Sequence, residues 1–269
     1  MRRKTVLVVV AHADDMEFMA GGTVARFVDE LGYEVHEYIL TDNSKGSYRL
    51  TAEELVRVSA AEAHRAGEIL GLGEVRLEGY TDGLLNLESP DVLRGKIMGM
   101  IREVKADIVM SWDPFAPDED HPDHRAVAMA TFEAASLSGN PMFYPEQPWA
   151  PRPVTEAYWF AKSPMNATCF VDVSSTIDKK IEALLAHDCQ MVLTMDGLLQ
   201  EAEVLGADVP ILQDAGEDGY RQIIGMGIRM FCQEVGQGAG MEYAEQFRYQ
   251  SYSMLDKFFG TELVKPDFG

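Results

Sequence analysis

Two short clusters of the 269-residue chain hold the side chains that metal-assisted hydrolysis needs. The first is His12-Ala13-Asp14-Asp15-Met16-Glu17 and the second is His121-Pro122-Asp123-His124. A histidine and a carboxylate three residues apart on a loop can converge on one ion, as His12 and Asp15 do in sequence. The intervening Asp14 is then free to face a water. In the second cluster two imidazoles stand three apart, Pro122 stiffens the loop and Asp123 is a carboxylate able to orient a ring. Two histidines and one aspartate make a mononuclear Zn²⁺ set with an open fourth position, which marks a catalytic site. The two groups left over, Asp14 and His121, suit a general base and a general acid. Each cluster alone also reads more plainly, with His12 ending a strand and Asp14 and Asp15 capping a helix. Their joint occurrence favours the metal.

The elements that carry the clusters follow from the apolar pattern. The run Thr5–Ala11 is continuous and β-branched, as in a strand buried on both faces. Gly21-Gly22 is expected to open a helix in which Val24, Phe27, Val28 and Leu31 recur at helical spacing, and its N-terminus would accept an anion. A strand at Val35–Leu40 precedes the loop TDNSKGS. A helix follows over Thr51–Leu70, with a capping box from Thr51 to Glu54 and a stop at Gly71. Glu74–Leu77, Val92–Val104 and Ile108–Trp112 then read as strand, helix and buried strand. This alternation implies βαβ units and a parallel sheet, with chemistry beyond the carboxyl ends of its strands. Both clusters lie there. The expected fold is an α/β three-layer sandwich with a mainly parallel, Rossmann-like sheet. It forms one domain over 1–269, whose last third, from about 140, decorates the core. In that third, GNPMFYPEQPWAPRPV holds five of the 12 prolines and reads as a crossing, Cys169–Val173 as a strand and Ser175–His187 as a capped helix. The glycine-rich stretch 214–240 resolves no further than loop and short helix.

Composition narrows the function. The formal charge of −21 opposes a phosphate backbone, so nucleic acid is not an expected partner, and anionic membranes are disfavoured. No apolar stretch approaches the ~20 residues that span a bilayer. The basic start followed by Thr5–Ala11 imitates a secretory signal but ends in His12, Asp14 and Asp15, without a cleavage site. Three scattered cysteines without a C-x-x-C pair fit a reducing compartment, and the expected location is the cytoplasm. Of the other histidines, His36 and His64 read as surface residues, while His187 ends a helix.

AHADDMEFMAGGTVARF, HPDHRAV, TDNSKGS, ADIVMSWDP, AHDCQ and YAEQF together resemble the LmbE/PIG-L family of zinc-dependent N-acetylglucosaminyl deacetylases. The layout around WDPFAPDEDHPDH is most similar to the branch that includes diacetylchitobiose deacetylases. The resemblance implies His12, Asp15 and His124 as Zn²⁺ ligands, Asp14 as base, and His121 as acid oriented by Asp123. It also implies Asp82 as a contact to sugar hydroxyls. The implied activity is hydrolysis of an N-acetyl group from an amino sugar or its glycoside, releasing acetate and a free amine. A homo-oligomer, up to a hexamer, is implied as well. The chain departs from the family pattern at Ala13 and Met16, and at Ser59 and Thr81, where arginines are usual; Arg57 lies two residues from the first of these. These departures bear on the substrate and leave the metal chemistry intact. Two alternatives follow: a same-family amidase for a thiol-conjugate or antibiotic glycoside, and a non-catalytic small-molecule binding domain.

Overall fold

The computed structural model describes residues 3–162, 166–213 and 215–268. Met1 and Arg2, the head of the basic start, lie outside them. In chain order the elements are β1 (Thr5–Val10), α1 (Asp15–Asp29), β2 (Glu34–Thr41), α2 (Ala52–Leu70), β3 (Glu74–Tyr80), α3 (Pro90–Val104), β4 (Ile108–Trp112), α4 (Pro122–Leu137), β5 (Glu156–Phe160), β6 (Cys169–Asp172), α5 (Ile177–Leu184), α6 (Asp188–Leu205), α7 (Pro210–Gln213), α8 (Gly216–Ala239), β7 (Ala244–Ser251) and α9 (Met254–Phe259).

The seven strands are ordered β3-β2-β1-β4-β5-β7-β6. The first five run parallel, and β7 runs antiparallel to both β5 and β6. Right-handed crossovers put α1 and α2 on one face and α3 on the other. Accordingly α5 packs on α1 and α2, and α3 packs on α4. Val6–Val10 of β1 are fully buried, as a continuous β-branched run between two helix layers requires. From β1 the chain moves outward through β2 and β3, then returns to β4 on the other side of β1. The loops after β1 and β4 therefore diverge and open a crevice. The capping box at Thr51 and the left-handed Gly71 that ends α2 both form as the sequence predicts.

Gly21-Gly22 does not open a helix. Helix α1 starts at Asp15, directly after the first cluster, so the pair lies in its interior. Packing explains the glycines: a Cβ at Gly22 would lie 2.7 Å from Val173, and one at Gly21 would lie 3.2 Å from Lys180. An anion does meet the pair, but it is the chain's own. The Glu245 carboxylate accepts from Gly22 N–H at 2.9 Å and Thr23 N–H at 2.7 Å. It is neutralised by Lys180 Nζ at 2.6 Å, which also donates to the Phe18 carbonyl.

The C-terminal third is more regular than its composition suggests. The glycine-rich stretch forms the 24-residue α8, whose Ile224, Ile228 and Cys232 recur at helical spacing and pack with Ile181 and Met195 in a satellite core. The proline-rich crossing is fastened by buried Arg102, which donates to the Ser138, Asn140 and Phe143 carbonyls at 3.0–3.1 Å. His36, read as a surface residue, is 9% exposed within β2, because that strand is covered on both faces.

Candidate active site

His12, Asp14 and Asp15 follow β1, while His121, Asp123 and His124 lie at the start of α4, beyond β4. These adjacent strands bring the two clusters together. His12 Nδ1 lies 3.2 Å from His124 Nε2 and 3.8 Å from Asp15 Oδ1, and His124 Nε2 lies 3.2 Å from the same oxygen. Ligand bonds of ~2.0–2.2 Å at tetrahedral angles give edges of about 3.3–3.6 Å, so this triangle matches one face of a zinc coordination tetrahedron.

The remaining atom of each side chain is engaged elsewhere, which leaves the triangle's atoms free to ligate. Asp15 Oδ2 accepts from Ala11 N–H and His12 N–H at 3.0 Å and from Trp112 Nε1–H at 2.9 Å. His124 Nδ1 meets Glu119 Oε1 at 3.0 Å, and its ring stacks on Trp112 with centroids 3.9 Å apart. His12 Nε2 lies 3.2 Å from Asp82 Oδ1 and 3.4 Å from Asp123 Oδ2. Imidazoles held by carboxylates in this way are fixed in tautomer and made more basic toward a metal. Glu119 and Trp112 were missed in the sequence reading. The only signals were an acid five residues before His124 and an aromatic at the end of a strand leading to the site.

Electrostatics follow from this crowding. Burial alone would lower both histidines of the triangle, but the facing carboxylates raise His12 well above its ordinary value and His124 to about 9. Burial works the other way on Asp15, yet the two histidines hold it well below the usual carboxylate range. Burial and the adjacent Asp15 push Asp14 up to about 6. Asp14, Asp82, His121 and the ligand triangle line one cleft of about 550 Å³, together with Asn43, Lys45, Lys162 and Gln190. A hollow of similar size between α2, α6 and α8, about 540 Å³, contains neither cluster.

Two expected roles change. The Asp123 carboxylate does not orient His121: it accepts from Gly83 N–H at 2.6 Å and Leu85 N–H at 2.9 Å and faces His12. Residue 123 reaches His121 only through its backbone N–H, which donates to His121 Nδ1 at 3.2 Å. A ring that accepts at Nδ1 carries its proton on Nε2 and is neutral. Burial, aided by the neighbouring imidazoles, likewise lowers the His121 pKa. Asp82 lines the cleft as expected, but its oxygens also meet His12 and the Lys45 N–H. At the departures, Ser59 is buried, and the exposed Arg57 does not line the cleft.

Asn43 was also not anticipated. It adopts φ 55°, a conformation asparagine tolerates, and its side-chain oxygen accepts the Ala13 N–H at 3.0 Å. It thereby fixes the peptide between His12 and Asp14.

The Glu119 contact carries a prediction. Glu119→Gln should retain the fold and weaken zinc affinity by roughly 10–100-fold, the usual cost of losing a carboxylate behind a ligand histidine. Competition with a chelator measures it, and unchanged affinity would remove Glu119 from the site.

A family model described as PIG-L, GlcNAc-PI de-N-acetylase, matches residues 7–135, the span that contains both clusters. The chain is 31% identical over 192 residues to diacetylchitobiose deacetylase of Thermococcus kodakarensis, covering 70% of each chain. It is 30% identical over 210 residues to a probable N-acetyl-alpha-D-glucosaminyl L-malate deacetylase 2 of Bacillus anthracis, covering 74% of this chain and 86% of that one. Among solved structures, N,N'-diacetylchitobiose deacetylase from Pyrococcus horikoshii superposes with a TM-score of 0.74 at 22% identity, covering 94% of this chain and 87% of the other. The 4-carboxy-2-hydroxymuconate hydratase GalB of Pseudomonas putida shares the fold at a TM-score of 0.67 and 20% identity, covering 97% and 100%.

Proposed function

Because the chain belongs to the PIG-L family of de-N-acetylases, we propose that its cleft hydrolyses the N-acetyl group of an amino sugar or its glycoside, releasing acetate and a free amine. The observation that carries this reading is the triangle of His12 Nδ1, Asp15 Oδ1 and His124 Nε2, open toward a cleft that also presents Asp14 and His121. Two imidazoles and one carboxylate fit Zn²⁺ better than harder divalent ions. When bound, zinc supplies Lewis acidity, lowering the pKa of water toward ~7 and polarising an amide carbonyl.

The protein's own groups do the rest. Asp14 accepts the proton of the attacking water. His121, neutral with its proton on Nε2, donates a hydrogen bond to the developing oxyanion. A proton must then reach the leaving nitrogen. Asp14 already holds the water's proton at that point, whereas a neutral imidazole that gave one up would have to become an anion. Asp123 and Asp82 hold His12 in its ligating tautomer. His121→Gln keeps an N–H donor without a titrating ring and should retain at least about tenfold more kcat than His121→Ala, since one oxyanion donor is worth on the order of 10²–10³. Equal loss in both variants would restore His121 as the proton donor.

The reading is tested by screening N-acetyl sugars for acetate and amine release by zinc-loaded protein, with the chelated protein as control. Metal-dependent release supports it. Turnover of only thiol-conjugate or antibiotic glycosides would favour the alternative amidase, and metal-free protein without turnover would favour a binding domain. The relatives favour neither alternative. Among the described residues no helix is long and apolar enough to cross a membrane. Three free, buried cysteines support a reducing, cytoplasmic setting. Exposed Met226, Met230 and Phe231 on α8 form an apolar patch that suits assembly with further copies of the chain.

A further inference from the structure

The hydrolytic site leaves one buried histidine without a task. His187, from the AHDCQ block, stands between α5 and α6 and is 1% exposed. Its backbone is fixed on both sides, because its N–H donates to the Leu184 carbonyl and its own carbonyl accepts from Gln190 and Met191 at 3.0–3.1 Å. Helix α5 packs on α1, and the ring that follows it meets Glu17, whose Oε1 lies 3.5 Å from His187 Nε2. Glu17 is fully buried, and neither residue lines the cleft.

Helix capping does not explain the pair. Asp14 and His187 are the N-cap residues of α1 and α6, and neither side chain makes a capping bond. Glu17 holds the third position of α1, from which a carboxylate usually reaches back to the cap, and here it turns inward instead. Among the described residues, both nitrogens of His187 and both oxygens of Glu17 are buried without a hydrogen bond. Such atoms are costly to bury, so four of them together mark a place kept for something other than stability.

Asp14 ties the pair to the reaction. It stands three residues before Glu17, a spacing that puts both on one side of the first turn of α1. The electrostatics connect all three: burial disfavours a charged His187, whereas Glu17, and after it Asp14 and Glu62, raise its pKa. A base that does not cap its helix takes its aim from the groups packed around it. We propose that His187 is a positioning residue for the base: paired with Glu17 beneath the cleft, it keeps the Asp14 carboxylate toward the water and away from the cap of α1. This rests on the deacetylase reading of the cleft and adds two residues that belong to neither its lining nor the ligand triangle.

The test uses the full chain loaded with zinc. Glu17→Leu combined with His187→Phe removes both partners at similar volume, so folding and zinc stoichiometry should stay close to the parent. If the pair only fills the interior, kcat should stay as well. Positioning instead predicts a fall of about 10–100-fold in kcat with KM within about twofold, the scale of a reacting group displaced by ~1 Å. Glu17→Gln is nearly isosteric and serves if the double variant does not fold; it should lower kcat by about threefold or more at unchanged KM. Parent-like kcat in the variant that folds, or loss of zinc from it, overturns the proposal. Failure of the parent on every N-acetyl sugar overturns the deacetylase reading instead, and cobalt-substituted protein then decides. The pH midpoint of its visible spectrum should move in the double variant in the same direction as in Asp14→Asn, and an unmoved midpoint overturns the positioning role.

Discussion

Asp14→Asn is expected to keep one equivalent of zinc and to lose on the order of 10²–10⁴ in kcat, the usual worth of general acid–base catalysis. The separation follows from the geometry. Asp15 supplies the carboxylate oxygen of the ligand triangle, and its other oxygen is saturated by three N–H donors. Asp14 shares the cleft but not the triangle. His12→Ala, by contrast, removes one of three ligands and should abolish metal binding and activity together. Metal stoichiometry on the purified variants, read beside kcat, checks both. If Asp14→Asn loses its metal while His12→Ala keeps it, the two roles are exchanged.

The second large effect concerns stability. Lys180 and Glu245 form an ion pair at 2.6 Å with side chains 1% and 2% exposed. Glu245→Ala strands the ammonium in the interior and removes the carboxylate that the Gly22 and Thr23 N–H groups meet, at a cost of about 3–5 kcal/mol. For a chain of this size the expected fall in Tm is on the order of 10 °C. The double variant Lys180→Met with Glu245→Gln removes the unpaired charge and should recover much of that loss, because a buried pair gains little over well-packed neutral groups. Denaturant midpoints for the single and double variants measure the difference. A Glu245→Ala protein within about 1 kcal/mol of the parent would show that water reaches the pair.

Four of the five parallel strands were legible, β1 and β4 as continuous apolar runs that end in polar loops, as Thr5–Ala11 ends at His12, whereas β5 follows the proline-rich crossing and was not read as a strand. The two clusters that the structure brings together at the cleft were legible because each keeps local spacing. Other features depend on contacts that sequence spacing does not encode. The Asp123 carboxylate faces His12 because Gly83 and Leu85, some 40 residues away in the chain, hold it there. Gly21-Gly22 resembled a helix start because glycine is poor inside helices. Here Lys180 crowds Gly21, Val173 crowds Gly22, and Glu245 of β7 supplies the anion. Helix α8 was hidden for the same reason: its glycines lower helix propensity, while the apolar stripe through Ile224, Ile228 and Cys232 finds its partners on elements distant in sequence, α5 and α6 among them.

The placement of β7 sets an order of events during synthesis. All three proposed ligands, the base and β1 to β5 have been made once Phe160 is in place, and those strands pair with one another. Strand β6 then has no sheet neighbour, because its partner β7 begins at Ala244, more than 70 residues later. Until that last strand arrives, the β5 edge is open and Lys180 of α5 lacks its counter-charge. The nascent chain therefore carries all three proposed ligands on an incomplete sheet, whose unpaired edge and lone ammonium are the exposed liabilities of that interval. The strand that closes the sheet also delivers Glu245, so edge protection and charge neutralisation occur in a single step.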